Sequence, residues 1–297
     1  MFSIAYRMLG SAAEAEDVVQ EAFLRFHRTS EGDGGEEIEN PKAWLSAVTT
    51  RLSIDQLRSA RARRESYVGT WLPEPLLTDS APDVATQTES ADTLSLAFLV
   101  VLETLTPVER AVFLLREVFG YGYGEIAEVI GKSEDNARQL ATRARRRLDE
   151  RRPRFEPSRE RRAELAERFF AAIEEGETEG LVELLAEDAV LYGDGGGKAP
   201  AIARPISGRE KVARALAGFM RQARTLGLRI EPAEVNGQPG GVARDAHGQL
   251  VNVVSLEIAD GRVHAVHSIV NPDKFRHLGP VGDLQGLFAS VRERRSG

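Results

Sequence analysis

Two proline-rich stretches divide the chain and limit what it can fold into. The first, residues 66–93, holds three prolines among Thr, Ser and Asp, and the second, much shorter, holds Pro153 and Pro157. Proline lacks a backbone N–H and fixes φ, so neither stretch can continue a helix or form a central strand. The sequence therefore predicts separate domains joined by linkers.

The residues around the first linker have the periodicity of helices. Ala12–His27 and Lys42–Ala60 repeat apolar residues at helical spacing, and the pattern resumes from Leu94 to about Leu148. In the second helix the side predicted to be buried consists of Trp44, Leu45, Val48, Leu52 and Leu57. We expect one helical domain over residues 1–65 and another over residues 94–152.

Beyond Ser158 the pattern becomes mixed. Arg162–Glu175 and Arg209–Ala223 are typical of helices. The segments predicted as strands are Ala189–Tyr192, Leu228–Val235, Leu250–Ile258 and Val263–Val270, the last two joined by a turn at residues 259–261. This order predicts an α+β domain over residues 158–275 with a curved, mostly antiparallel sheet, followed by a weakly helical tail over residues 276–297.

Charge and composition exclude several functions. The chain has no cysteine, which excludes a disulfide scaffold and a thiolate zinc site and favours a cytoplasmic location. Its longest apolar run, Leu94–Leu102, is too short to cross a bilayer, and we expect no membrane partner. The net charge is −7, but arginines concentrate at Arg51–Arg64 and Arg138–Arg154, where a basic face can bind phosphates. Neither a metal site nor a cofactor is predicted.

Residues Gly124–Leu148 have the pattern of a helix-turn-helix. Ala127 suits the contact between two helices, Gly131 the turn, and Ser133 the N-cap of the second helix. Such spacing also occurs by chance, but the cap, the turn and an arginine-rich second helix agree here. The candidate DNA-binding residues on that helix are Arg138, Gln139, Thr142, Arg143 and Arg146.

Three long segments identify a family: AEDVVQEAFLRFH, PKAWLSAVTTRLSIDQLRSARARR and TLTPVERAVFLLREVFGYGYGEIAEVIGKSEDNARQLATRARRRL. They resemble regions two and four of the extracytoplasmic-function sigma factors of the sigma-70 family. WLPEPL (Trp71–Leu76), DGGGK (Asp194–Lys198) and NPDKF (Asn271–Phe275) are similar to signatures of the subgroup with a fused C-terminal SnoaL-like domain. The resemblance implies a multidomain chain of two all-α sigma regions and a SnoaL-like α+β cone. It also implies that residues preceding Phe2 in relatives are missing here.

The resemblance implies specific partners, namely promoter DNA and the RNA polymerase core. Asp17, Gln20 and Glu21 would contact the clamp helices of the largest polymerase subunit, and region four would contact the flap of the second-largest subunit. Arg51, Asp55 and Arg58 would line the melted −10 strand, with the loop Thr29–Glu39 capturing an unstacked base. The five helix-turn-helix residues would contact the −35 element. Trp44 could stack on a base, although its apolar surroundings favour packing in the core.

The C-terminal domain admits two functions. SnoaL-like domains include small-molecule isomerases and cyclases, which use a carboxylate or histidine as general acid or base. The candidates here are Asp188, Asp194, His247, His264 and His267, and they form no convincing set, so we assign no catalytic residue. A DNA-binding module fused to such an enzyme remains the alternative.

The resemblance favours a regulator instead, which acts in cis on the sigma regions. An unidentified small ligand of this domain is a further candidate partner. We expect Trp71 and Leu72 to insert against the domain near Asp194–Lys198. The regulatory residues implied are Trp71, Leu72, Pro73, Asp194, Gly195, Gly196, Gly197, Lys198, Asn271, Pro272, Asp273 and Lys274. DGGGK is not a phosphate loop, because Ala199 stands where such a loop needs Ser or Thr.

Overall fold

The structure, a computed structural model, describes residues 1–31, 38–78, 91–149, 158–176 and 178–296. The chain forms two compact units, Met1–Ser66 with Phe98–Arg152 and Tyr67–Ala97 with Pro153–Gly297. Most of the loop Thr29–Glu39 and the second proline stretch fall outside the described residues. No described helix is long and apolar enough to span a membrane.

The first unit begins with three helices. They are α1 (Phe2–Leu9), α2 (Ala12–Glu31) and α3 (Pro41–Glu65), and α1 packs against both others. On α3 the predicted buried side is only partly right, because Leu57 is buried but Trp44, Leu45, Val48 and Leu52 are half-buried. The buried side instead contains Ser46, Thr49, Thr50, Ser53 and Ile54. The hydroxyls of Ser46, Thr50 and Ser53 donate to carbonyls one turn back, as from Thr50 to Ser46 at 2.8 Å, which lets small polar side chains pack in a helix interface.

The rest of this unit is also helical. Its elements are α4 (Leu96–Leu102), α5 (Pro107–Phe113), which continues as a π-helical turn (Leu114–Val118), α6 (Tyr123–Ile130) and α7 (Glu134–Asp149). A capping box starts α5: the Thr106 hydroxyl accepts from the amide of Glu109, whose carboxylate accepts from the amide of Thr106. The helix pair α6–α7 packs around a core formed by Val112, Leu115, Ile126, Val129, Ala137 and Ala141.

Two arginines join the early and late helices of this unit. Arg110 is buried and donates to the carbonyl oxygens of Met8 (2.8 Å) and Leu102 (3.1 Å). Arg51 on α3 donates to the carbonyl oxygens of Glu128 (2.7 Å) and Val129 (2.8 Å) at the end of α6. These charge-assisted bonds connect segments far apart in sequence, so the two helical segments form one compact unit.

The second unit is a mixed sheet covered by helices. Its elements are α8 (Arg159–Glu175), α9 (Thr178–Leu184), β1 (Leu185–Asp194), β2 (Ile206–Ser207), α10 (Arg209–Thr225), β3 (Arg229–Val235), β4 (Gln238–Arg244), β5 (Leu250–Ala259), β6 (Arg262–Ile269) and α11 (Leu284–Ser296). The strand order is β2-β1-β6-β5-β4-β3, and β1 and β6 are parallel while the other neighbours are antiparallel. The prediction of an α+β domain with a mostly antiparallel sheet is confirmed.

Strand β4 was missed by the sequence analysis, although its signal is present. Asn236 and Gly237 precede it with φ of 54° and 71°, and Asn-Gly is the preferred pair for the two-residue turn of a hairpin. The strand itself contains Pro239, Gly240 and Gly241, which have low strand propensity. Gly240 is required there, because a Cβ would lie 2.2 Å from the carbonyl oxygen of Val254 on β5.

The first linker is attached to this sheet. The amide of Thr78 donates to the carbonyl of Glu234 at 2.9 Å, and Leu77 pairs with Val235, so the linker extends the free edge of β3. Asn236, fully buried, accepts from the amide of Leu76 at 2.8 Å and donates to the carbonyl of Leu94 at 2.9 Å. One side chain therefore holds both ends of the stretch between Leu76 and Leu94.

Candidate functional sites

The predicted DNA-binding residues share one exposed face of α7. Gly131 ends α6 with φ of 65°, and the Ser133 hydroxyl caps α7 by accepting from the amide of Asn136 at 3.3 Å. The opposite side of α7 is buried through Ala137, Ala141, Ala144 and Leu148. The exposed residues are Arg138, Gln139, Thr142, Arg143 and Arg146.

Intramolecular contacts differ along this face. Arg138 pairs with Glu134 and stacks on the Tyr123 ring at 4.6 Å, and Arg116 stacks on the same ring at 4.7 Å. The hydroxyl of Thr142 donates to the carbonyl of Arg138. Within the described part of the chain, the side chains of Gln139, Arg143 and Arg146 have no hydrogen-bond partner and extend into solvent.

The predicted strand-binding residues on α3 do not behave alike. Asp55 and Arg58 are exposed and form an ion pair with each other at 3.0 Å. The Arg51 guanidinium donates to the end of α6, as described above. All three residues are exposed, but Arg51 is bonded to another helix whereas Asp55 and Arg58 are bonded to each other, a difference that no sequence pattern signals.

The predicted polymerase-contacting residues lie on an exposed part of α2. Asp17 and Gln20 are exposed and Glu21 is half-buried. Their apolar neighbours Phe23 and Leu24, which the sequence did not single out as contact residues, are 50% and 44% exposed. Two large apolar side chains on the surface beside acidic ones are typical of a protein-docking face. Trp44 packs edge-on against Phe26, with ring centres 5.7 Å apart.

The C-terminal motifs and the linker meet around one buried carboxylate. Asp194, at the end of β1, is fully buried; its Oδ1 accepts from the Tyr67 hydroxyl (2.6 Å) and its Oδ2 from the Leu72 amide (2.8 Å) and Lys274 Nζ (2.6 Å). The Asn271 amide group donates to the Tyr67 hydroxyl at 2.7 Å. We call these five residues the linker latch.

Aromatic rings surround the buried ammonium group of the latch. Lys274 Nζ lies 4.6 Å from the Trp71 ring and 5.2 Å from the Tyr67 ring, and it also donates to the Leu72 carbonyl. Burial and the hydrogen bond to Asp194 raise the pKa of the Tyr67 phenol, so it stays a donor. Asp194 accepts from three donors, and Lys274 contacts a carboxylate, a carbonyl oxygen and two aromatic rings. These contacts offset the cost of removing both charges from water.

Two of the three glycines after Asp194 leave no room for a side chain. A Cβ on Gly196, whose φ is 55°, would lie 2.3 Å from Asn271 Nδ2 and 2.8 Å from the Tyr67 hydroxyl. A Cβ on Gly195 would lie 2.3 Å from the carbonyl oxygen of Ala199. The loop therefore passes directly against the linker and against itself.

The remaining motif residues are peripheral to the latch. Lys198 and Asp273 form an exposed ion pair, and Lys198 lowers the pKa of Asp273. Pro272 starts the short 3-10 turn that positions Lys274. Pro73 lies next to Leu72 in the described, extended part of the linker. Two further contacts of the linker were not revealed by the sequence: His277 Nε2 is 2.8 Å from the carbonyl oxygen of Pro75, and buried Arg162 donates to Asp92 and also to Gln238.

The catalytic candidates lie outside the cavity of the domain, and two of them are neighbours: His264 Nδ1 is 3.9 Å from Asp188 Oδ1. The domain contains a cavity of about 730 Å³, and Asp188, Asp194, His247, His264 and His267 are all absent from its lining. Burial lowers the pKa of His267 to about 4 and raises that of Glu257 to about 7. Among the described residues no three His, Cys, Asp or Glu side chains could together hold a metal ion. The described lining of the cavity contains none of the five candidates for a general acid or base.

Comparisons with known proteins give consistent matches along the chain. Family models match as sigma-70 region 2 over residues 1–63, sigma-70 region 4 over residues 95–148 and a SnoaL-like domain over residues 166–270. The extracytoplasmic-function (ECF) RNA polymerase sigma factor SigJ of Mycobacterium tuberculosis is 38% identical over 287 residues, with 93% of this chain and 89% of the relative covered. A probable ECF RNA polymerase sigma factor of the same organism, SigI, is 34% identical, covering 92% and 90%. The crystal structure of SigJ aligns with a TM-score of 0.74 at 35% identity, covering 93% of this chain and 94% of that one.

Proposed function

Because this chain belongs to the extracytoplasmic-function sigma factors, with a fused SnoaL-like domain, we propose that it directs core RNA polymerase to specific promoters and that its C-terminal domain controls this activity through the linker latch. The single observation behind the second part is the buried Asp194 carboxylate, which binds Tyr67 and Leu72 of the linker. Action on polymerase and DNA would place the protein in the cytoplasm.

The polymerase contact is proposed for α2. Asp17, Gln20 and Glu21 would meet the clamp helices of the largest subunit, with exposed Phe23 and Leu24 supplying the apolar centre of that interface. Region four would meet the flap of the second-largest subunit. An acidic helix face beside an apolar one suits a basic partner surface that has an apolar core.

Promoter contacts are proposed for two helices. Gln139, Arg143 and Arg146 on α7, whose side chains have no partner among the described residues, would contact the −35 element. Arg138 and Thr142 would join them once their intramolecular bonds exchange for bonds to DNA. Asp55 and Arg58, with Arg51, would line the −10 strand. Arg51 can do so only after leaving the carbonyls of Glu128 and Val129.

The control by the C-terminal domain is proposed to act through the linker. Residues 67–97 connect the two sigma regions, and the latch together with Asn236 holds this linker at several points along its length. A held linker has less reach than a free one of the same length. We therefore propose that the latch limits how far the two sigma regions can separate, and that its release permits promoter engagement.

Transcription with purified components tests the proposal. Core polymerase plus the full chain should select specific fragments from a random duplex pool and produce run-off transcripts from them. Tyr67→Phe, which removes both hydrogen bonds of that hydroxyl and so weakens the latch, should raise transcript yield, whereas Lys198→Ala, in the exposed pair, should leave it close to that of the parent. Absence of fragment selection would refute the sigma activity; equal yield from the parent and Tyr67→Phe would refute control by the latch.

A further inference from the structure

The C-terminal domain contains a cavity of about 730 Å³, within the size range of small-molecule sites. The sheet forms its floor, α8 and α10 form its walls, and α11 closes one side through Leu284 and Phe288. Most of the lining is apolar, including Phe169, Phe170, Ile173, Leu216, Met220 and Val266. Phe219, also in the lining, is 43% exposed, which places the entrance beside α10.

The polar groups of the cavity define the class of molecule that fits. The residues lining it include no Asp, Glu, His, Lys or Arg. The polar side chains of the lining are all neutral and belong to Tyr192, Gln222, Asn252, Ser268 and Gln285. On the floor, the Ser268 hydroxyl donates to Asn252 Oδ1 at 3.2 Å, and within the described chain Asn252 Nδ2 has no acceptor. A charged ligand would lose its hydration without gaining a counter-charge, whereas a neutral apolar molecule with one acceptor would satisfy the free amide.

The wall nearest the linker is the loop that carries the DGGGK motif. Gly193, Gly197, Ala199, Ala201 and Ile202 face the cavity. The same loop meets the linker on its other side: a Cβ on Gly197 would lie 3.4 Å from the Val68 side chain, and one on Gly196 would lie 2.8 Å from the Tyr67 hydroxyl. A single layer of backbone therefore separates the cavity from the latch.

We propose that this cavity binds a neutral, mainly apolar small molecule, and that the bound molecule strengthens the linker latch through the loop 193–202. The direction follows from the geometry: the cavity is complete while the latch is formed, so its occupant contacts the loop in the latched position. A ligand shifts an equilibrium toward the state that it binds more tightly. The regulatory half of this proposal rests on the function proposed above.

Two dyes test the site on the full chain. Nile red is neutral, and 1-anilinonaphthalene-8-sulfonate is an anion with comparable ring area. Nile red should bind with a blue-shifted emission, and the anion should bind about tenfold more weakly or worse, since no cation lines the cavity. Ala223→Trp, which fills the cavity from α10, should weaken Nile red binding by about tenfold, and Arg214→Trp, on the exposed side of the same helix, should not.

A second filling variant, Ala289→Trp, keeps the test valid if Ala223→Trp fails to fold. Ala289 lines the cavity from α11 but is exposed, so a larger side chain there does not disturb the core. Equal Nile red affinity in the parent and both filled variants overturns the site, as does equal binding of the two dyes.

Coupling to the latch has its own test, because linkage is reciprocal. Tyr67→Phe touches the latch but not the cavity, so it should weaken Nile red binding by about fivefold. Bound Nile red should also slow proteolysis of the linker, because it strengthens the latch. Unchanged dye affinity in Tyr67→Phe overturns the coupling. The dye-free transcription assay described above still decides the proposed function by itself.

Discussion

The ammonium of Lys274 lies 2.6 Å from the carboxylate of Asp194, and both side chains are buried. Asp194→Asn keeps the shape of the residue but removes its charge, leaving a buried cation without its partner. We expect a loss of about 3–5 kcal/mol in the free energy of unfolding of the second unit, measured by urea denaturation. Asp273→Asn, in the exposed pair with Lys198, should cost about 0–1 kcal/mol. Similar losses in the two variants would contradict the role given to burial.

Gly196 and Gly197 provide a matched pair of substitutions, since both have positive φ. Alanine at either position should cost about 1 kcal/mol through the backbone alone. Gly196→Ala should also displace Tyr67, because its Cβ would lie 2.8 Å from the Tyr67 hydroxyl and 2.3 Å from Asn271 Nδ2, which bonds that hydroxyl. The Cβ of Gly197→Ala, in contrast, makes ordinary contact with Val68 at 3.4 Å. Protease sensitivity of the linker should therefore rise in Gly196→Ala only. Equal sensitivity in the two variants would mean that the Tyr67 contact does not hold the linker.

Stability should depend on pH, with opposite signs, through two groups of the sheet, half-buried Glu257 and buried His267. The pKa of Glu257 is about 7 in the folded chain against 4.5 ordinarily, so between these values the folded state keeps a proton that the unfolded state has lost, and stability falls as pH rises. The pKa of His267 is about 4 against 6.5, so between these values the unfolded state gains a proton, and stability falls as pH drops.

Glu257→Gln separates these effects. The variant should be more stable than the parent at pH 8, by roughly 2 kcal/mol, with the difference vanishing below pH 4.5. Thermal unfolding across pH 4–8 measures it. A parent and variant that stay parallel over this range would show that Glu257 ionises normally.

Arg146 on α7 tests the proposed DNA face. Arg146→Ala, in holoenzyme, should weaken promoter binding and reduce the dependence of log K on log salt by about one if the guanidinium neutralises one phosphate. Arg145→Ala should change the slope less, because that guanidinium already pairs with Glu117 at 2.5 Å. Filter-binding or anisotropy titrations at several salt concentrations provide the slopes. Identical slopes for Arg146→Ala and the parent would remove Arg146 from the interface.

Arg51 and Arg58 should differ in their contribution to stability, although both are proposed to line the −10 strand. Arg51→Ala removes the bonds to Glu128 and Val129, and we expect a loss of about 2 kcal/mol from the stability of the first unit. Arg58→Ala, with its exposed pair to Asp55, should leave the urea midpoint almost unchanged while still impairing open-complex formation. Permanganate footprinting of the melted strand would report the second effect. A stable Arg51→Ala variant would show that the contact with α6 contributes little.

The sequence was sufficient for the classes of domain but not for every packing detail. Helical spacing and the turn at Gly131 predicted α6 and α7, because capping and periodicity are local properties. The burial of Ser46, Thr50 and Ser53 in place of Leu45 and Val48 was not predictable, since a hydroxyl that bonds its own helix is treated as polar by any periodicity argument.

The latch was predictable in part. The motifs containing Trp71, Asp194 and Asn271 drew attention to the right segments through a family resemblance. The motif sequences do not predict the hydrogen bond from Tyr67 to Asp194, because these residues are 127 positions apart. Arg162, Asn236 and His277 belong to no motif, and their contacts with the linker depend on how the sheet folds.

Asn236 also has a consequence for how such chains can vary. Its amide group holds the backbone at both Leu76 and Leu94, so the distance between those two points is set by one side chain and not by the number of residues between them. Insertions or deletions within 79–90 should therefore leave the effective tether length unchanged, and this stretch is where we expect length variation to be tolerated.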